Sequence, residues 1–134
     1  MAKGSVSLRF RHPQKDLSFY SSLLSMPCFS CWVAGAPRQT PTGRALSGTY
    51  SESYWASELE FSSDSGFLEK VIYMVGKLSG VKDNLRDFKA SNGKIEIYLQ
   101  MPGSSNNGGI LESELLKRLG DLGVDLLIEV FPGS

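Results

Sequence analysis

Several groups of residues in this chain have the types and spacing to do chemistry. The richest is Gly35–Arg44, which places Arg38 and Arg44 in one stretch of turn-forming residues. Arginine grips carboxylate or phosphate through two parallel N–H donors, and a Gly/Pro loop offers backbone N–H groups to the same anion. The competing reading ties one arginine to an acid such as Glu58 and leaves the other solvated, because loops collect these residue types for turn chemistry.

Cys28 and Cys31 form a C-x-x-C. A redox pair of this spacing opens a helix, whose N-terminus activates the first thiol. Here Cys-Phe-Ser-Cys-Trp-Val reads as the entry to a strand, where positions three apart face opposite ways. A structural zinc takes four ligands, and the chain holds two Cys and one His. The expectation is therefore two small, half-buried core residues. His12, the sole histidine, has no nucleophile motif beside it, so a catalytic role requires folding to bring Cys28 or a serine close. Glu58 and Glu60 share one strand face, as carboxylates do on countless solvated strands. Gly103–Gly109 lacks the Lys-Ser/Thr of a phosphate-binding P-loop. No catalytic residue, metal ligand or cofactor is predicted.

Composition narrows the classes further. At 134 residues the chain is expected to form one α+β domain, residues 1–134, large enough to bury a core without a staple. Fourteen basic residues balance fourteen acidic ones, which removes the basic footprint of a general nucleic-acid binder. Met1-Ala-Lys-Gly-Ser leads into an alternating segment and not an apolar run, so no secretory signal is predicted, and no stretch is apolar enough to span a bilayer. A cytoplasmic location, with no membrane and no nucleic-acid partner, follows as the default expectation.

The elements that must position these groups come from periodicity. Ser5–Arg11 alternates, with Val6, Leu8 and Phe10 against Ser7, Arg9 and Arg11. Pro13 suits a helix first turn; Leu17, Tyr20, Leu23 and Leu24 then form a stripe that Pro27 ends. A short strand follows at Cys31–Ala34, then the Gly35–Arg44 loop. From Tyr50 a second long strand sets Trp55, Leu59 and Phe61 against Tyr54, Glu58 and Glu60. That parity makes Trp55 a core anchor in preference to a ligand platform, and Tyr54 the surface candidate.

Asp64–Gly66 read as a helix start, and Phe67, Leu68, Val71, Ile72, Val75 and Leu78 repeat at helical spacing to Gly80. A short helix is expected over Asp83–Ala90, a turn at Asn92-Gly93, and a strand with Ile95, Ile97, Leu99 and Met101 on one face. Pro102–Gly109 is expected to be a mobile loop. The next helix carries Leu111, Leu115, Leu119 and Leu122, with Glu114 and Arg118 one turn apart in the favourable order. Gly123 sits where a C-cap belongs, and a last strand, Val124–Phe131, stops at Pro132-Gly133.

A doubly wound parallel sheet would bury both faces and read as continuous apolar runs. Alternating strands instead predict an α+β two-layer sandwich. Its mostly antiparallel five-stranded sheet carries helices on one face in the order βαββα(α)βαβ, with a ferredoxin-like core plus an extra helix and strand.

Leu24-Ser25-Met26-Pro27, Trp32, Gly35-Ala36-Pro37-Arg38, Thr42-Gly43-Arg44, Tyr54–Leu59 and Leu119–Asp125 occur in an order that resembles bacterial domain of unknown function family 4279. Family members often place an acid and a turn after the first strand, where this chain has Arg11-His12-Pro13-Gln14-Lys15-Asp16. The resemblance implies a compact α+β domain and assigns no activity.

The uncovered face is expected to carry Arg9, Arg11, Glu58, Glu60, Glu96, Tyr98 and Gln100. An RNA-recognition sheet would show aromatics amid basic charge; only Tyr98 approaches that, with acids around it. Arg9, Arg11, Glu96 and Tyr98 are instead candidates for a protein-partner surface, where tyrosine and arginine are favoured. The leading expectation is a non-catalytic binding or regulatory domain, by analogy an immunity-like inhibitor of another protein. The alternative is a small-anion or metabolite sensor using Arg38, Arg44 and Tyr54.

Overall fold

Alternation in the first strand organises the molecule. In the computed structural model, which describes residues 3–62, 66–103 and 108–132, β1 (Gly4–His12) lies at the centre of a five-stranded sheet. It pairs antiparallel with β5 (Ser53–Phe61) on one side and with β6 (Lys94–Pro102) on the other. Beyond β5 lies the short antiparallel β2 (Ser30–Trp32), and beyond β6 the parallel β7 (Val124–Phe131). The order β2-β5-β1-β6-β7 makes both β1–β2 and β5–β6 split βαβ units, each straddling one antiparallel strand. That is the ferredoxin-like arrangement expected from the element order.

The additions are a helix pair in place of the second crossover helix, a hairpin, and a C-terminal helix and strand. α1 (Tyr20–Leu24) follows β1; α2 (Gly66–Ser79) and α3 (Lys82–Ala90) link β5 to β6; α4 (Ser113–Leu122) links the parallel pair β6 and β7. A parallel neighbour needs such a crossover. Gly123 caps α4 with φ 72°, a left-handed conformation that costs glycine little.

Helices cover one side of the sheet. Val6, Leu8 and Phe10 of β1, Trp55 of β5 and Ile95, Ile97 and Leu99 of β6 are fully buried there, beneath Val71, Met74, Val75 and Leu78 of α2. Phe10 is the hub. It stacks on Tyr20 at 4.1 Å and meets Trp55 and Phe88 edge-on at 5.5 Å. Offset and edge-to-face contacts of this kind add to the stabilisation from burial alone. Trp55 Nε1 donates to Ser21 Oγ and Tyr20 Oη to Asn84 Oδ1, so both polar handles are satisfied.

Four expectations are corrected. The first helix is shorter than its stripe: His12 Nδ1 accepts the N–H of Gln14 and Lys15, and Asp16 accepts that of Ser18, so these amides serve turns and not a helix. Leu23 lies within α1 but is exposed, away from the buried Tyr20 and Leu24. Ile72 lies outside the buried arc of α2 and is also exposed. Gly35–Arg44 is not an irregular loop, because β3 (Pro37–Gln39) and β4 (Ala45–Thr49) form a hairpin. Gly43, at φ 90°, makes its turn; both strands are fully exposed, so no buried face left a pattern to read. Arg118 donates to Ser79 Oγ, and the intrahelical ion pair of α4 is Lys117–Asp121. Asp64 and residues 104–107 of the Pro102–Gly109 loop lie outside the described residues, as does Gly133.

Burial pushes the Tyr20 phenol well above its ordinary value of 10.0. The folded state therefore retains a proton that the unfolded chain releases, and stability falls as pH rises above that value. Tyr20→Phe should flatten this alkaline loss, whose limiting slope is about 1.4 kcal/mol per pH unit for one proton. Denaturant melts at pH 8 and above pH 10 check it; an unchanged slope in the variant would show that Tyr20 is not the linked group.

Candidate functional site

Among the described residues the other side of the sheet carries no helix, and its side chains follow from register. Opposite the core residues, β1 presents Ser5, Ser7, Arg9 and Arg11; β5 presents Tyr54, Ala56, Glu58 and Glu60; β6 presents Lys94, Glu96, Tyr98 and Gln100. Pairing of β2 with β5 sets Trp32 beside Tyr54 and Ser30 beside Ala56.

These residues form a row across the strands. Tyr50 stacks on Trp32 at 4.7 Å and Trp32 on Tyr54 at 4.5 Å. The Arg11 guanidinium lies 5.2 Å from the Tyr54 ring centre, and Arg9 lies 4.2 Å from that of Tyr98. Glu96 joins the two halves, accepting from Arg9 at 2.6 Å and lying 3.7 Å from Arg11, which also pairs with Glu52 at 3.0 Å. Tyr98 Oη donates to Glu129 at 2.9 Å. Burial first, then this carboxylate, pushes the Tyr98 phenol above its ordinary range. Each ring or cation is thus held on two sides, which restricts rotamers before any partner arrives.

Above the row lies an open cup of about 410 Å³. Small side chains, Ser7, Ser30 and Ala56, make its floor, while Phe29, Trp32, Tyr54 and Tyr98 stand around it. Phe29 is 70% exposed although its backbone N–H is fixed to Ala56 O. Arg9, Arg11, Glu58 and Gln100 complete the wall. Among the described residues Glu58 has no ion-pair partner, whereas Arg9 and Arg11 are matched by Glu96 and Glu52. The cup therefore offers one uncompensated negative charge among aromatic surfaces.

The structure brings Arg9, Arg11, Glu96 and Tyr98 into one cluster and adds Tyr54 to it. Arg38 and Arg44 stay on the β3–β4 hairpin. Arg38 reaches only Ser47 O, at 3.5 Å, and the Arg44 guanidinium makes no hydrogen bond or ion pair among the described residues; neither ties the hairpin to Glu58. Phe29, Trp32, Tyr50 and Glu52 were missing from the site expected of the sequence. Trp32 and Tyr50 join it only because β2 pairs with β5 and the hairpin returns the chain beside Trp32, and a three-residue strand leaves no period to detect.

The cysteine expectation is corrected too. Cys28 and Cys31 are exposed and joined by a disulfide, with Cα atoms 6.4 Å apart. The opposite-faces rule applies within a strand, but β2 begins only at Ser30, so Cys28 sits in the preceding turn. No three His, Cys, Asp or Glu side chains gather to hold a metal among the described residues, and no helix there is long and apolar enough to cross a membrane.

Folding does bring a serine to the histidine: His12 Nε2 lies 3.0 Å from Ser91 Oγ. The geometry runs opposite to that of a nucleophile and its base. Nδ1 accepts two backbone N–H groups, so the ring hydrogen sits on Nε2 and points at Ser91, whose own hydrogen goes to Phe88 O. His12 fastens the end of β1 to the end of α3. His12→Ala should lower stability by about 2 kcal/mol and Ser91→Ala by about 1 kcal/mol or less, read from urea midpoints. Equal and negligible losses would mean that this junction is not held by the ring.

No family model, curated protein or solved structure matches the chain, so its function has to be inferred from the open face itself.

Proposed function

We propose that this chain is a non-catalytic binding domain that takes a protein partner on the open face of its sheet. The partner inserts a basic side chain into the cup beside Glu58. One observation carries this reading: among the described residues Glu58 has no ion-pair partner, whereas the two arginines that line the cup with it are paired. A lysine or arginine entering the cup would meet that carboxylate beside the aromatic side chains that line it. Arginine–glutamate pairs already on the face reduce the side-chain ordering that docking must supply.

A small-anion sensor on Arg38 and Arg44 lacks comparable support. The two arginines lie on a fully exposed hairpin without a shared partner or a cavity common to both. An enzyme reading would need a nucleophile and base in working geometry, and the histidine–serine contact faces the wrong way.

The test is a partner captured from the native host by the wild-type chain and then measured with purified components. Glu58→Gln, which keeps shape and removes charge, should weaken binding roughly tenfold, the scale of one charge-assisted contact. Ile72→Ser, on the exposed helix side, should leave affinity unchanged. Equal affinities for wild type and Glu58→Gln would overturn the reading, as would a partner lost on Ile72→Ser alone.

A further inference from the structure

The two edges of the sheet are built differently. β2 is only three residues long and the β3–β4 hairpin lies alongside the chain that leaves it, through Gly35 N to Tyr50 O and Tyr50 N to Ala36 O. Shortness is an ordinary way of blunting an edge. β7 lacks it. It runs for eight residues, its outer side pairs with no strand among the described residues, and it contains no proline, lysine or arginine. Its side chains are apolar where a solvent edge should be polar: Leu127, Ile128 and Val130 are 42%, 52% and 64% exposed.

We propose that β7 is an interface for a second copy of this chain, the two β7 strands pairing antiparallel across a two-fold axis at Ile128. Register chooses both the occupant and the axis. Pairing β7 with itself must keep core-side residues on one face, which requires a residue and not a peptide bond as the centre of symmetry. Centring on Leu127 sets Asp125 opposite the partner's Glu129, two like charges directly across the ladder, which is unfavourable. Centring on Ile128 sets Ile128 against the partner's Ile128 and Leu126 against the partner's Val130. On the open face it sets Leu127 against the partner's Glu129 and Asp125 against the partner's Phe131, with no like-charge pair. Centring on Leu126 also avoids like charges but sets only residues 124–128 opposite one another, whereas the Ile128 register pairs 125–131 and so buries the most of the exposed edge. A net charge of zero leaves no long-range repulsion between copies. The product is one continuous sheet, helices on one side and both cups on the other, so a protein partner with two basic knobs would be met bivalently.

Sedimentation velocity across a concentration series on the purified chain tests this. Wild type should show a reversible dimer. Ile128→Lys and Val130→Lys, both at exposed positions, should raise its dissociation constant at least about tenfold with native circular dichroism retained, because each change acts twice across the axis. Ile128→Cys should cross-link to itself under mild oxidation, and Leu127→Cys should not. A wild-type chain that stays monomeric at high concentration overturns the proposal, including the case in which β7 instead pairs with a strand of another protein. A dimer indifferent to both lysines, or one cross-linked by Leu127→Cys and not by Ile128→Cys, overturns it equally.

Discussion

The two-residue period of β1 is the constraint on which the rest of the structure depends. Its even-numbered residues Val6, Leu8 and Phe10 disappear into the core, and its odd-numbered residues Ser7, Arg9 and Arg11 build the uncovered face. Because β1 is hydrogen-bonded on both sides, its parity dictates that of β5 and β6. A slip of one residue would place the arginines under α2 and Phe10 in water. Burying an unmatched guanidinium is so costly that the register has no near competitor.

Phe10 then links strand parity to helix position. Tyr20 of α1, Trp55 of β5 and Phe88 of α3 all meet its ring. His12, two residues on and on the same face, ties β1 to the end of α3 through Ser91 and turns the chain towards α1 through the amides of Gln14 and Lys15. The sole histidine is used for construction. Its ring nitrogens are both engaged in hydrogen bonds that position elements.

On the opposite face the same register assembles charge and aromaticity. Arg9 and Arg11 are separated by one residue of β1 and so lie side by side, a repulsive arrangement that Glu96 between them resolves. Flanking rings take up the outer faces of both guanidinium groups. The result is a preorganised surface whose two arginines are ion-paired, although Arg9 Nε is buried without a hydrogen-bond partner, and whose charge in the cup without an ion pair among the described residues is Glu58. This balance favours a basic visitor over an anionic one, although the sequence places conspicuous arginines at Arg38 and Arg44. Arg38 does line a cavity of about 880 Å³ with Trp32 and Tyr50, but Arg44 is not part of it, so the two arginines do not converge on one site.

Periodicity by itself determined the long strands, the parity of Trp55 and Tyr54, the helices α2 and α4 and the α+β class, because burial on one face writes a repeat into any element long enough to show one. It also determined that Arg9, Arg11, Glu96 and Tyr98 share the solvent side. Elements without a repeat were decided only by tertiary structure: the shortened α1, whose amides are taken by His12 and Asp16; the exposed β3–β4 hairpin; and the disulfide that joins Cys28, ahead of β2, to Cys31 within it. Likewise the cup required strand order, since Trp32 meets Tyr54 across a pairing that joins distant stretches of chain. Local patterns record which way a residue faces; only the assembled sheet records what it faces beside.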